Sequence, residues 1–419
     1  MTDFSFLDTP IEIAAESPRR EMIMSRLRAS GLRPFAASVP IDFSGSEALL
    51  IDIETASPEL LSRFSRAQMI GFSRQVIILD AGPASSDIPN TIFIRRDNDL
   101  SVLKERLVAM KRQRSRALEV TTRIETLTEM GGQLPVVDPD SAPEILYLGD
   151  SSPFFLKAQA SLKDRGIPVT AALTMNTARD FLTQNRFSAV LLDLTSTCDR
   201  AQQLINWTAP ENSITGLPIL ALVNAEIDMT ETQRASLAFS SDLIDLSQPL
   251  EIITDKIERL TRRFLATAPI LPTLELSSKT TDFNTGLFSR KFMERHLEKQ
   301  MQACQDNEEI LSMMTLKLTG ANAMDRSVLK TLSNTVKSLL RETDCAAYLG
   351  ASVIGISLPF TPYRGGVRLA ERIVQTIGRN QELSDIKIEW RVVERRAYHS
   401  SKSLLSAGTA GPFIRNSAA

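Results

Sequence analysis

Histidine, cysteine and tryptophan are scarce in this sequence: two, three and two residues of 419. The cysteines (Cys198, Cys304, Cys345) are too scattered for a disulfide framework or a thiolate zinc site, both of which need ligands at defined spacing. His296 and His399 are too few for a histidine metal centre or a nucleophilic triad. No apolar run reaches the ~18–20 residues that a spanning helix requires. Neither charge dominates, with Lys+Arg at 48, Asp+Glu at 50 and a net charge of −2. No global basic field therefore points to nucleic acid or an anionic membrane. The first residues, MTDFSFLDTPIEIAAESP, carry early acids and no basic segment followed by an apolar core. They predict no signal peptide, hence a cytoplasmic, multi-domain protein with neither metal nor cofactor.

What is present is an alternation of apolar strand-like runs with helical patterns, the mark of α/β units. A first block, 1–130, offers strands at 11–15, 48–52, 75–79 and 91–94, and helices at 18–30, 57–70 and 99–128. Only residues 81–90 separate its last two strands, too few for a crossover helix, so one helix is expected to be missing. The helix from 99 is long and charged and suits packing against another helix or domain. A linker rich in Gly, Pro and Asp at 131–143 leads to a second block, 144–266. It reads as a complete doubly wound set of five strands and five helices. After a linker at 266–280, the third block, 281–411, contains the hairpin pair CAAYLG and VIGISLPF, which predicts a mixed sheet. The closing SAGTAGPFIRNSAA reads as a frayed tail.

Open parallel sheets place their chemistry at the carboxyl ends of the strands. In the second block Asp150 and Asp193 end two strands there. The block resembles a response-regulator receiver domain, with Asp193 at the phospho-acceptor position. It departs from that pattern at Gly149, where an acid is usual, at Val223 and Asn224, where a hydroxyl is usual, and at Gln248 before Pro249, where Lys is usual. The first block resembles a receiver more weakly, with Asp52 as acceptor, Glu16 as a single metal acid, and Arg95 or Arg96 near the Lys position. The alternative for Asp52 and Asp193 is an acid simply left at a strand end.

In the third block, DFNTGLFSRKF (282–292) is similar to the DxLTGLxNRRxF motif of GGDEF domains, and the run at 341–361 is similar to the segment around their signature. The resemblance implies the diguanylate cyclase fold over most of 281–395. At the signature the chain reads Gly350, Ala351, Ser352, Val353 and Ile354, and a second metal carboxylate is replaced by Lys317. Cyclase chemistry needs acids that hold divalent metal at these positions, so the expectation is no enzyme activity. The upstream RxxD is intact in Arg341 and Asp344, and Arg372 lies where the family has a supporting arginine. In that family RxxD binds cyclic di-GMP. An arginine fork can donate to guanine or phosphate oxygens, and an aspartate can accept from guanine N–H groups. The alternative is a surface ion pair at a helix end, worth a few tenths of a kcal/mol.

The order of blocks resembles the degenerate branch of the receiver–receiver–GGDEF family. The resemblance implies a cyclic di-GMP effector at a cell pole. It would act as an adaptor in cell-cycle proteolysis with the partners RcdA, CtrA and ClpXP, and could form a homodimer. The alternatives are a phosphorylation-dependent response regulator, an active cyclase, and a scaffold that binds no cyclic di-GMP.

Overall fold

The computed structural model describes residues 10–38, 40–43, 48–70, 74–79, 91–94, 100, 102–132, 143–185, 187–195, 217–224, 229–237, 239–267, 280–306, 309–320, 322–341, 343–383 and 386–415. Contacts divide the chain into two compact units. The first holds two parallel sheets, and the second holds a mixed sheet together with residues 115–141.

The first sheet is built from β1 (Pro10–Ala14), α1 (Arg19–Ala29), β2 (Arg33–Ala36), β3 (Ala48–Asp52), α2 (Pro58–Ile70), β4 (Val76–Leu79) and β5 (Thr91–Ile94). Its order is β2-β1-β3-β4-β5, and every pair is parallel. A parallel sheet covered on both faces needs near-continuous apolar strands, and all five residues of β3 are buried. Sequence reading missed β2, whose RPFA buries only Pro34. It is an edge strand, where proline and polar residues are tolerated and no periodic signal develops. The helix expected to be missing between β4 and β5 falls on 80–90, outside the described residues. Helix α3 (Leu103–Glu129) follows.

The second sheet comprises β6 (Ile145–Leu148), α4 (Pro153–Asp164), β7 (Val169–Ala172), α5 (Met175–Gln184), β8 (Ala189–Asp193), β9 (Ile219–Val223), α6 (Glu231–Leu237), β10 (Asp242–Asp245) and α7 (Leu250–Thr267). It is also all parallel, in the order β10-β9-β8-β6-β7. Ser152 starts α4 by accepting from the Phe155 N–H, with proline in the first turn. Residues 196–216 between β8 and β9, where a further helix was expected, lie outside the described residues. In each sheet the order reverses beside the first strand, so the crevice beyond β1/β3 and β6/β8 is the topological switch point. Asp52 and Asp193 end the strands on its rim.

The second unit contains β11 (Phe288–Ser289), α8 (Arg290–Asp306), β12 (Leu311–Thr319), α9 (Arg326–Leu339), β13 (Cys345–Gly350), β14 (Val353–Pro359), α10 (Tyr363–Gly378), β15 (Lys387–Glu394), α11 (Ser401–Thr409) and β16 (Ile414–Arg415). Their order is β11-β13-β14-β12-β15-β16, with a parallel β11/β13 pair and antiparallel pairs elsewhere. The sheet is mixed, as expected. Alternation along β12 divides the core: Met314, Leu316 and Leu318 join the residues of α9 and α10, while Leu311 and Met313 join those of α8 and α11.

The expected frayed tail is corrected over 406–415, while 416–419 lie outside the described residues. Ser400 and Ser403 form a reciprocal capping box on α11, Leu404 and Leu405 are buried, and β16 pairs with β15 through Trp390↔Ile414. Small residues dominate this stretch, so its helical signal is short and rests on the cap.

Candidate functional site

Helix α9 ends at Leu339, and β13 begins at Cys345. The RxxD residues form the turn between them. The Arg341 N–H donates to Asp344 Oδ2 at 2.8 Å, and the Asp344 N–H donates to the Arg341 carbonyl at 3.0 Å. Asp344 is only 7% exposed, whereas Arg341 is exposed. In place of a surface ion pair on a helix end, a buried carboxylate closes the turn through backbone. Asp344 Oδ1 is buried and has no hydrogen-bond partner among the described residues. Burial pushes the Asp344 carboxyl up to about 6, against the opposing pull of Arg341 and its N–H. Arg372 comes from α10 and donates through Nη2 to the Leu339 carbonyl at 2.7 Å. It caps α9 with a cation two residues before Arg341. Glu342 lies outside the described residues.

Sequence reading missed the group beneath this turn. Residues 115–129 of α3 meet α8 through side chains. Glu119 accepts from Gln300 Nε2 at 2.7 Å and lies 2.9 Å from His296 Nε2. Farther along, Glu129 accepts from Lys299 at 2.6 Å. Arg123 donates through Nε to Glu119 at 2.5 Å and through Nη2 to the Asp344 carbonyl at 2.9 Å. Its guanidinium also lies 5.5 Å from the centre of the Phe288 ring. Glu119, Arg123, His296 and Gln300 are all buried. Glu119 and Arg123 at i,i+4 were the available signal, but such pairs are usually solvent-facing.

The signature residues form the β13/β14 hairpin turn. Gly350 pairs with Val353, and φ is +49° at Ala351 and +58° at Ser352. Positive φ at both central residues is the primed turn that matches strand twist. Ser352 is buried, with its hydroxyl 2.6 Å from Met324 Sδ. Lys317 pairs with Val353 across the strands, and its ammonium lies 5.8 Å from the centre of the Phe413 ring. Among the described residues, no group of three or more His, Cys, Asp or Glu side chains could hold a metal ion. Gly350–Ile354 and Lys317 supply no carboxylate. An alanine held at positive φ is strained by roughly 1–2 kcal/mol, partly offset by glycine's greater freedom when unfolded. Ala351→Gly is therefore expected to stabilise the protein by about 0.5–1 kcal/mol, seen as a higher denaturant midpoint at unchanged slope.

At the two parallel sheets, the strand-end aspartates are already engaged. Asp52 is 0% exposed, accepting from Arg19 Nε at 2.9 Å and Thr55 Oγ1 at 2.5 Å. Asp193 accepts from the Tyr147 hydroxyl at 2.9 Å and from Thr195 Oγ1 and N–H at 2.6 and 2.9 Å. The Tyr147 ring explains Gly149: a Cβ there would lie 2.4 Å from the tyrosine oxygen and 2.6 Å from Asp193 Cβ. An acid at 149 is thus incompatible with this tyrosine. Glu16 is tied by its N–H to Thr55 Oγ1 at 3.1 Å. Arg95 and Arg96 lie outside the described residues.

No helix among the described residues is long and apolar enough to cross a membrane. No curated protein sequence matches this chain. Among solved structures it is similar to the GGDEF domain of DgcB from Caulobacter crescentus in complex with c-di-GMP, with 17% identity over 32% of this chain and 85% of that one, at a TM-score of 0.29. It is also similar to the diguanylate cyclase SiaD of Pseudomonas aeruginosa in complex with its activator SiaC, with 17% identity over 37% of this chain and 65% of that one, at a TM-score of 0.31. Residues 279–394, within the mixed-sheet part of the chain, match the family described as diguanylate cyclase, GGDEF domain.

Proposed function

We propose that this protein is a cyclic di-GMP effector without cyclase activity, binding its ligand at Arg341, Asp344 and Arg372. The observation that carries this reading is Asp344 Oδ1, a buried acceptor with no partner among the described residues, in a turn that also presents an exposed arginine. Leaving a buried acceptor unsatisfied costs about 1–3 kcal/mol, and a guanine N–H edge would supply the missing donors. Arg341 and Arg372 add positive charge for guanine oxygens or the two phosphates. Ser352, Val353 and Lys317, standing where metal-binding acids would be needed, support the absence of turnover.

In this reading residues 1–130 and 144–266 are receiver-like domains, and 281–411 with the strand after it is a degenerate GGDEF domain. The engaged states of Asp52 and Asp193 speak against an acceptor open to phosphorylation. The sheets then serve as docking modules for an adaptor, with a cell-pole setting and RcdA, CtrA and ClpXP as partners proposed from the resemblance alone.

Calorimetric titration of the full-length protein with cyclic di-GMP tests the proposal. Wild type is expected to bind at micromolar Kd or tighter. Arg341→Ala is expected to weaken binding by about 10–100-fold, the equivalent of one or two charge-assisted hydrogen bonds. Absence of binding to folded wild type would remove the proposal.

A further inference from the structure

We infer that helix α3 is mechanically part of the RxxD site, with Arg123 as the positioning residue that joins them. This deepens the proposed function and rests on it for the identity of the ligand. The geometry itself is independent of that reading. The Asp344 carboxylate closes the turn by accepting the Arg341 N–H at 2.8 Å. The carbonyl of the same residue accepts from Arg123 Nη2 at 2.9 Å. One residue therefore closes the turn with its side chain and meets α3 with its main chain. The other arm of Arg123 is held by Glu119, which in turn engages His296 and Gln300 of α8. Gln300 continues the chain by accepting from the Ser357 hydroxyl on β14.

Glu119, Arg123, His296, Gln300, Asp344 and Ser357 are buried, so none can exchange its partner for water at little cost. A ligand that orders the RxxD turn must also fix the carbonyl that Arg123 holds. The α3–α8 seam is thereby stabilised. Conversely, a loosened turn weakens the hydrogen bond from Arg123 Nη2 to the Asp344 carbonyl, and residues 115–129 open more readily. Arginine is needed because its planar fork serves Glu119 and the carbonyl together, which a lysine ammonium does not do in fixed geometry.

Hydrogen–deuterium exchange of the full-length protein, followed in peptides covering 115–129 and 341–350, tests this. Without ligand, Asp344→Ala is expected to speed exchange in 115–129 by about five-fold, the worth of one hydrogen bond. In an Arg123→Lys background, which keeps the charge beside Glu119, the same substitution is expected to change 115–129 by less than about two-fold. With cyclic di-GMP, wild type is expected to slow exchange in both peptides. Arg123→Lys, still binding by calorimetry, is expected to slow it only in 341–350. Arg123→Met serves as a second variant without the charge.

Equal effects of Asp344→Ala in both backgrounds would overturn the inference, as would ligand binding that leaves 115–129 unchanged in wild type. If wild type binds no cyclic di-GMP, the proposed function fails, and the ligand-free comparison alone decides the coupling.

Discussion

Asp344→Asn is expected to weaken cyclic di-GMP binding by about 10–100-fold while making the ligand-free protein more stable above pH 6. The two effects have one cause. Burial pushes the Asp344 carboxyl up to about 6 from 3.8, with Arg341, its N–H and Arg123 opposing and Glu119 reinforcing. Between those two values the folded state holds a proton that the unfolded state has lost. Stability from this group therefore rises as pH falls from above 6 toward 4, and is lost as pH rises through 6. At pH 8 the ionised, incompletely partnered carboxylate is destabilising by an order of 2–3 kcal/mol.

Asparagine keeps an acceptor for the Arg341 N–H and carries no charge, so a gain of about 1–2 kcal/mol is expected at pH 8, shrinking to nothing near pH 4. A ligand that donates to this carboxylate prefers it ionised. Wild-type affinity should therefore fall below pH 6, by at most about ten-fold per pH unit. Denaturant unfolding at pH 8 and pH 5, with calorimetry at the same values, reads both. A variant less stable than wild type at pH 8 would mean that the carboxylate is well satisfied in the free protein, contrary to the basis of the proposed site.

Glu119→Ala is expected to be the most destabilising single change in the C-terminal unit, by about 3–5 kcal/mol. Burial alone would raise the Glu119 carboxyl, but His296 and Arg123, with hydrogen bonds from His296 and Gln300, outweigh it and hold the group below the ordinary carboxylate range. Its contribution is therefore present above that range and lost as pH falls through the lowered folded value, the reverse of Asp344. Truncation removes the buried ion pair with Arg123, whose side chain is 2% exposed. Unfolding followed by Trp390 fluorescence in a Trp207→Phe background isolates this unit, because Trp390 is 3% exposed in its core. A loss below 1 kcal/mol would show that the seam is dispensable to the fold.

Much of the fold was legible in the sequence because the signals were local. The runs ALLID and TIFI became β3 and β5 at the expected residues, since a strand covered on both faces must be continuously apolar. The hairpin CAAYLG–VIGISLPF and the helix at 363–378 were legible for the same kind of reason, one from strand patterning and one from helical period. β2 escaped because an edge strand with proline buries too little to leave a pattern. α11 escaped because its stability rests on a serine cap and on Leu404 and Leu405 meeting α8, a contact absent from any local window.

The sequence by itself determined the chemistry on offer: no cluster of acids at Gly350–Ile354, a cation at Lys317, and an Arg341–Asp344 pair at the right spacing. Tertiary structure decided what those residues do. It turned Asp344 from a candidate surface partner into a buried, half-satisfied acceptor. It gave Asp52 to Arg19 and Asp193 to Tyr147 and Thr195. It also set Arg123 against the Asp344 carbonyl across 221 residues of chain. Periodicity reports which face of an element is apolar. Which buried polar group finds which partner depends on the packing of distant elements, because only folding removes water and makes the match obligatory.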